Sequence, residues 1–210
     1  LAVLFADNEM SLYNIDTKEL LFKEQGAQSL TTDSRIVAPY FMNELVIFAT
    51  LDGKIVIVNS KLKKSLRTII VSSQNNFNNI IYLNIIDNKI IAATNTKIMS
   101  LAQKEIRVKY EMRNIIYDGN SIFITTKQGE VIALNPNLDL ITKTKFPFAH
   151  FLAVIADEDK LYLLEKEGYM IVLDKKNMKE FTVHEIDIDD GYIFLGDKVF
   201  YIDDRYISIK

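Results

Sequence analysis

The sequence lacks cysteine and tryptophan altogether, and it has only seven glycines and three prolines in 210 residues. Without cysteine, a disulfide framework and a thiolate metal site are both excluded. The glycines are scattered and form neither a G-x-G-x-x-G sequence nor a P-loop, and no G-x-S-x-G sequence is present. Nothing in the sequence therefore indicates a phosphate-binding loop or a serine nucleophile.

Strong charge of one sign and long apolar runs are also absent. The 28 acidic and 25 basic residues give a net charge of -3, which provides no broad attraction to nucleic acid or anionic lipid. The longest uncharged window, Ile69 to Ile86, is interrupted by serine, glutamine and asparagine residues that hydrocarbon would not accept. We expect neither a nucleic-acid partner nor a membrane span in this chain.

The clearest positive feature is a β-hairpin predicted over Leu45–Asn59. Two runs rich in valine and isoleucine flank Asp52-Gly53, a dipeptide that suits the positive φ angles of a tight hairpin turn. The runs do not alternate between apolar and polar residues, as a half-exposed hairpin would. Both faces of this hairpin are therefore expected to be covered.

The hairpin pattern recurs along the chain with a mean step of about 39 residues. The five further copies begin at Leu1, Lys89, Ser121, Lys160 and Lys198. A short apolar run precedes most of them, and a strand of alternating polarity follows. Each unit therefore predicts an inner strand, two buried strands and a partly exposed outer strand, and a fixed period of this size is typical of propellers and solenoids.

The arrangement of these units predicts a β-propeller. Parallel α/β folds need long crossovers, but no segment here carries a helical period of that length. Strands of a sandwich would alternate, whereas radially stacked blades bury both faces of their middle strands. We predict an all-β chain, a single domain over residues 1–210, with about six four-stranded antiparallel blades.

The two terminal blades are predicted to be incomplete. The first lacks its inner strand and the last lacks its outer strand. The chain begins at Leu1 rather than methionine and is at once strand-like. We therefore expect a fragment or processed product, in which an N-terminal segment outside this sequence completes the last blade.

Four repeats resemble those of pyrroloquinoline-quinone-type propellers, in which a strand L-Y-A-L-D is followed by T-G-K and L-W. They are SLYNIDTKELLF (Ser11–Phe22), IVIVNSKLKKSLR (Ile55–Arg67), VIALNPNLDLITK (Val131–Lys143) and MIVLDKKNMKEF (Met170–Phe181). Residues 33–59 are similar to repeats of the propeller lipoproteins of the bacterial outer-membrane assembly machine. The resemblance implies a propeller fold and a place in the cell envelope.

The same repeats depart from that family where a cofactor would bind. Phe22, Arg67, Lys143 and Phe181 stand where the repeat has tryptophan. Quinone-dependent dehydrogenases of this fold use a vicinal disulfide and a tryptophan floor beneath the cofactor, and this chain has neither. We therefore expect no cofactor and no enzymatic activity.

The other candidate sites have simpler explanations. His150 and His184 are 34 residues apart and lack H-x-x-x-H spacing, so we interpret them as ordinary polar residues rather than metal ligands. The acidic run Glu185–Gly191 is similar to a calcium loop. Its glycine falls one place late, however, and Gly196 stands where a bidentate glutamate is needed, so a solvated turn is favoured.

Two loops with aromatic residues are the candidates for binding a partner. The first is the polar connection 72–79, with Phe77 at its tip, and the second places Phe146, Phe148 and Phe151 around a proline. Aromatic residues on loops can anchor a partner peptide, and the alternative is that they form the core between blades. Residues 40–42 form a similar, weaker candidate.

Together these features predict a noncatalytic scaffold for protein–protein interaction. The resemblance implies a periplasmic or outer-membrane-associated location, a role in outer-membrane protein assembly and a lipid anchor upstream of Leu1. Two alternatives stay open. One is an enzyme or small-ligand receptor whose residues converge at a central channel, and the other is an accessory subunit of a periplasmic redox system.

Overall fold

A computed structural model describes residues 1–29, 35–74, 78–188, 193–202 and 205–209. Within these residues the chain forms 22 strands in six antiparallel sheets, and none of them forms a helix that could cross a membrane. The all-β prediction is confirmed. The chain divides into two compact units, Leu1–Tyr110 and Glu111–Lys210, each with three sheets. That both belong to one domain stays a prediction.

The first unit contains strands that pair in the order in which they follow one another along the chain. Its first sheet has β1 (Ala2–Leu4), β2 (Glu9–Tyr13) and β3 (Leu20–Gln25). Its second has β4 (Tyr40–Met42), β5 (Leu45–Ala49), β6 (Lys54–Asn59) and β7 (Lys64–Ile70). Its third has β8 (Tyr82–Ile86), β9 (Lys89–Ala93), β10 (Lys97–Leu101) and β11 (Glu105–Lys109).

The second unit repeats the arrangement. Its first sheet has β12 (Met112–Tyr117), β13 (Ile122–Thr126), β14 (Glu130–Leu134) and β15 (Leu140–Lys145). Its second has β16 (Phe151–Asp157), β17 (Lys160–Glu165), β18 (Tyr169–Asp174) and β19 (Phe181–Glu185). Its third has β20 (Ile193–Gly196), β21 (Val199–Ile202) and β22 (Arg205–Ser208).

The predicted central hairpin is confirmed as β5–β6. Leu45 pairs with Asn59 and Ile47 with Ile57, and Gly53 in the turn has a φ of +79°. Glycine adopts this left-handed conformation without a Cβ penalty, which allows the turn to be tight. The hairpin register therefore follows from the sequence pattern and the glycine position.

The core explains why the middle strands are apolar on both faces. Ile47 and Ala49 of β5 pack in a cluster with Met99 of the third sheet, whereas Val46 and Phe48 pack with Met10 and other residues of the first sheet. Successive side chains of a strand point to opposite faces. Each face of β5 thus meets a neighbouring sheet.

The second unit has the same doubly covered middle strands. Leu161 and Leu163 of β17 share a cluster with Phe123 of the preceding sheet, and Leu164 shares another with Phe200 of the following sheet. By contrast, all five residues of the outer strand β19 are exposed. The predicted order from buried middle strands to an exposed outer strand is therefore confirmed for this sheet.

Two features at the strand boundaries bear on the predicted blades. The apolar run over residues 35–41 predicts an inner strand, but β4 begins only at Tyr40, because Pro39 has no N–H to donate to a ladder. The terminal sheets β1–β2–β3 and β20–β21–β22 have three strands each, as predicted. That an upstream segment completes the last sheet stays a prediction.

Candidate functional site

A four-residue turn, Phe146–Ala149, joins β15 to β16 in the second unit, and we name it the Phe148 turn. The Ala149 N–H donates to the Phe146 carbonyl over 3.2 Å, which closes the turn. Pro147 occupies its second position, and Phe148, with a φ of +69°, occupies its third. This is the pattern of a type II turn, in which the third position normally holds glycine or asparagine.

Phe148 stands out because its side chain lies almost wholly in solvent, with the residue 99% exposed. A residue other than glycine in the left-handed region costs on the order of 1–3 kcal/mol. Because the ring contacts almost nothing in the folded chain, no packing energy offsets that cost. The position is therefore unfavourable for folding on both counts, which makes Phe148 a candidate for contact with another molecule.

Phe146 and Phe151 form the support beneath this turn. They are 9% and 1% exposed, and their rings meet edge to face with centroids 6.0 Å apart. Phe146 also meets Phe181 edge to face at 5.0 Å. Of the three aromatic residues predicted to bind a partner, Phe148 is the one whose ring is exposed, and the binding role of all three stays a prediction. The fourth candidate, Phe77, lies outside the described residues.

The turn of the hairpin β13–β14 is hydrogen-bonded to the Phe148 turn. The Phe146 N–H donates to the Gly129 carbonyl over 2.8 Å. Gly129 itself has a φ of +77°, and its N–H donates to the Thr126 carbonyl over 3.2 Å. The tight turns 126–129 and 146–149 are thus hydrogen-bonded to each other, which fixes the direction in which Phe148 projects.

The buried carboxylate of Glu165 connects the Phe148 turn to the hairpin β17–β18. Glu165 is 4% exposed. Its Oε1 accepts the His150 N–H over 2.9 Å, and its Oε2 accepts the Glu167 N–H over 2.7 Å. Both oxygens are therefore engaged by backbone donors, and Glu165 ties the end of the Phe148 turn to the neighbouring hairpin.

The sequence analysis missed Glu165, although the repeat offered a signal. The equivalent residue before the hairpin turn is a buried threonine in three other sheets: Thr50, Thr94 and Thr126. Each threonine hydroxyl accepts a backbone N–H from across its own hairpin turn, over 3.0 to 3.2 Å. A glutamate at that position is longer and can reach the next chain segment as well, which is how Glu165 contacts His150.

An apolar groove of about 350 Å³ lies on one side of the Phe148 turn. Its other lining includes Tyr169, Ile171 and Val183, and the last two are cross-strand partners on β18 and β19. Glu165 and Glu167 also line it. Because the Glu165 oxygens are already hydrogen-bonded, the exposed Glu167 carboxylate is the principal charge that this groove offers.

A second pocket, also of about 350 Å³, shares Pro147, Phe148 and Ala149 with the groove. Its remaining lining residues are Lys127, Gln128, Lys145 and His150, and we name it the basic pocket. Among the described residues, neither lysine forms an ion pair. Most other lysines of this unit do, and the pairs are Lys143–Glu130, Lys160–Asp174, Lys175–Asp118, Lys176–Asp159 and Lys198–Asp157.

The histidines do not form a metal site in the described part of the chain, where no group of three histidine, aspartate or glutamate residues could hold an ion. His150 lies in the connection to β16 and His184 in β19 of the same sheet, and both are exposed. The His184 Nε2 lies 3.1 Å from the Thr182 hydroxyl.

The acidic run Glu185–Gly191 is only partly described. Its Asp187 pairs with Arg205 at 2.6 Å, and residues 189–191 lie outside the described residues.

The carboxylates with lowered pKa values belong to structural ion pairs instead. A hydrogen bond from Lys160 is the main cause that lowers the pKa of Asp174 to about 2. For Asp118, burial raises the pKa, but the hydrogen bond from Lys175 and two backbone N–H groups outweigh it, so the pKa lies below its usual value. Lys160 is at the opposite end of β17 from Glu165, so these pairs lie away from the Phe148 turn.

No family model matches the chain, but curated proteins similar to it in sequence are known. It is 32% identical, over 98% of its length, to the plasminogen-binding protein PgbB of Helicobacter pylori strain J99. The protein of the same name from strain 26695 is 31% identical over the same share. The chain spans 40% of the length of these curated relatives.

Solved structures show the fold class. BamB from Moraxella catarrhalis matches 96% of this chain and 65% of its own, with a TM-score of 0.73 and 10% identity. The C-terminal WD40 domain of Sif2 matches 96% of this chain and 62% of its own, with a TM-score of 0.65 and 13% identity. The fold is accordingly a β-propeller resembling that of BamB, and at these identities the likeness extends to the fold alone.

Proposed function

We propose that this chain is a noncatalytic, protein-binding propeller of the bacterial cell envelope and that its partner docks on the Phe148 turn. The observation that carries the proposal is the 99% exposure of Phe148 at a φ of +69°. Burial of such a ring in a complex is worth about 1.5–3 kcal/mol. Aromatic anchors of this kind dominate protein interfaces because they bring a large contact area with few rotatable bonds.

The partner that the relatives support is plasminogen. Both are named plasminogen-binding proteins, and their similarity to this chain extends over 98% of it. Because the chain corresponds to 40% of their length, the proposal includes the claim that the matched part of those proteins takes part in binding. This claim is open to a direct test on the chain alone.

Outer-membrane protein assembly is the second candidate. The fold resembles that of BamB at a TM-score of 0.73. The sequence of residues 33–59, as noted above, also resembles repeats of assembly-machine propellers. Identity of 10% makes this support weaker than the sequence match to the plasminogen-binding relatives. The pyrroloquinoline-quinone-type repeat and the periplasmic or outer-membrane-associated location belong to the same proposal.

Surface plasmon resonance on the immobilised 210-residue chain tests the proposal, with plasminogen and a protein of the outer-membrane assembly machine as separate analytes. We expect saturable binding of plasminogen and at least a tenfold loss of affinity in Phe148→Ala, which corresponds to about 1.4 kcal/mol. The matched control is Phe194→Ala, because Phe194 is 67% exposed in the same unit but does not line either pocket.

Three results would count against the proposal. Saturable binding of the assembly protein without binding of plasminogen would favour the second candidate function. Equal losses in Phe148→Ala and Phe194→Ala would show that the Phe148 turn is not the contact. Absence of binding to both proteins, in a chain that unfolds cooperatively, would overturn the protein-binding proposal for these partners.

A further inference from the structure

Two pockets of opposite chemical character meet at one exposed ring. The apolar groove and the basic pocket share Pro147, Phe148 and Ala149 as lining residues, so the Phe148 turn is the wall between them. Each is about 350 Å³, which is large enough for a side chain. A partner segment that covers the Phe148 ring therefore meets both pockets.

The two lysines of the basic pocket form no ion pair with a carboxylate of the described residues. Glu130 is the cross-strand partner of Lys145, but its carboxylate pairs with Lys143 at 3.1 Å instead. The acid on the other side, Glu111, accepts a hydrogen bond from the Gln128 amide. The lining of this pocket, all of it within the described ranges, includes no acidic residue, whereas Lys127 and Lys145 contribute two ammonium groups.

The apolar groove favours a different kind of side chain from the basic pocket. Ile171 and Val183 form its wall, and backbone N–H groups engage both oxygens of Glu165. The exposed Glu167 carboxylate is the principal charge of the lining, and it disfavours an acidic side chain on this side of the turn. Val183 is 50% exposed, so an apolar side chain placed against it removes further carbon surface from water. An apolar side chain is thus the group that this side of the turn accommodates best.

From this arrangement we infer that the partner segment is an extended peptide carrying a carboxylate next to an apolar side chain. The carboxylate lies in the basic pocket and the apolar side chain lies in the groove, with the Phe148 ring covered between them. Adjacent side chains of an extended segment point to opposite sides, which suits two pockets on either side of one turn. The inference rests on the protein-binding function proposed above and names the chemistry of the segment that binds.

The lack of tryptophan in the chain makes a direct test available. Phe148→Trp keeps an aromatic ring at the position and introduces one indole into a chain that has none. Three capped hexapeptides serve as probes: Ala-Asp-Asp-Leu-Phe-Ala, the charge-reversed Ala-Lys-Lys-Leu-Phe-Ala and the apolar-deleted Ala-Asp-Asp-Ala-Ala-Ala. Titration of each peptide is followed by the blue shift of indole emission as the ring leaves water.

We expect the acidic–apolar peptide to bind at least tenfold more tightly than either of the others. Its affinity should fall as salt is raised, since salt screens exposed charges. In the same background, Lys127→Ala with Lys145→Ala should weaken it at least fivefold. Lys176→Ala with Lys179→Ala removes the same charge elsewhere in the unit and should leave the affinity within twofold.

Several outcomes would overturn the inference. They are preferential binding of the lysine peptide, equal binding of all three peptides, no effect of the Lys127 and Lys145 substitutions, and no shift up to about 5 mM peptide, or about −3 kcal/mol. The test separates the two proposals. If the acidic–apolar peptide binds as expected but plasminogen does not, the partner is wrong and the site chemistry stands. If plasminogen binds Phe148→Ala as well as the unaltered chain, the function stands and this site is wrong.

Discussion

Gly129 lies so close to Phe146 that a Cβ on the glycine would stand 2.2 Å from the Phe146 carbonyl oxygen. No real Cβ contact is that short, so the hairpin β13–β14 must carry glycine here if the Phe148 turn is to lie on it. The contact links the conformation of the exposed Phe148 turn to one buried position in the neighbouring hairpin.

Replacing Gly129 by alanine is therefore expected to lower the free energy of unfolding by at least about 2 kcal/mol, because a steric clash adds to the strain of a positive φ. Urea unfolding followed by circular dichroism measures the change. Gly119→Ala is the matched control, since Gly119 has a φ of +94° but no atom within 4 Å of the place where its Cβ would stand. It should cost about 1 kcal/mol, and equal losses in the two variants would contradict the role of the contact.

Replacing Phe148 by glycine should leave the protein as stable as before or stabilise it by up to about 1 kcal/mol. The substitution relieves the left-handed strain and removes no packing, while the added freedom of glycine in the unfolded chain offsets part of the gain. Phe148→Ala keeps the strain and should stay within about 0.5 kcal/mol of the unaltered chain. Thermal unfolding measures both, and a loss above about 1 kcal/mol would show that the ring packs in the folded chain.

Substitution of Phe151, unlike that of Phe148, should strongly destabilise the protein. It is 1% exposed, and its ring meets Phe146 edge to face. Phe151→Ala is expected to lower the free energy of unfolding by about 3–5 kcal/mol, because it opens a cavity in the core between two sheets. Phe148→Ala in the same urea series provides the comparison. Similar values for the two variants would mean that burial does not distinguish the aromatic residues of this loop.

Substitution of Glu165 should destabilise the turn according to the number of acceptors that it removes. Glu165→Ala leaves the N–H groups of His150 and Glu167 without their partner, at a cost of about 0.5–1.5 kcal/mol for each of these part-buried hydrogen bonds. Glu165→Gln retains one carbonyl oxygen and should cost less. Hydrogen exchange at the two amides gives the local readout. Unchanged protection in Glu165→Ala would contradict the bridging role of the carboxylate.

The Asp174–Lys160 pair predicts a specific dependence of stability on pH. The hydrogen bond from Lys160 is the main reason that the pKa of Asp174 falls from 3.8 to about 2 in the folded chain. Because the folded pKa is the lower one, the stabilisation is present above about pH 4 and is lost as the pH falls through about 2.

Urea unfolding of the unaltered chain and of Asp174→Asn between about pH 5 and pH 2 measures this contribution. The difference in stability between them should shrink toward about pH 2 and be constant above about pH 4. Lys160→Ala should reproduce the pattern. A difference that is constant over the whole range would show that folding does not lower the pKa of Asp174.

Much of the fold could be predicted because the local sequence pattern of each repeat indicates its strands and turns. The valine and isoleucine runs of 45–59, with Gly53 between them, specify a hairpin covered on both faces. Tyr40 shows the limit of this approach: the apolar run before it includes Pro39, and the local pattern alone did not reveal how far the proline would shorten the strand. Boundaries depend on which backbone groups find partners, and those partners are distant in the sequence.

The candidate site was only partly accessible from the sequence. The pattern Phe146-Pro147-Phe148 identified an aromatic loop but did not show which ring is buried. The turn decides this, because Pro147 at its second position places Phe148 at the third, where the side chain projects outward. Lys127 and Lys145 were not candidates at all, since a hairpin turn and a strand end some distance apart along the chain form the basic pocket together.

The left-handed geometry of Phe148 has a consequence for engineering. A selection for heat tolerance alone, or a computational redesign scored on folding energy, would choose glycine or asparagine at this position early. If the proposed docking role is right, the resulting variant would be at least as stable as the unaltered chain and would bind its partner more weakly. Phe148 should therefore be held fixed in any thermostabilised version that is meant to report on recognition.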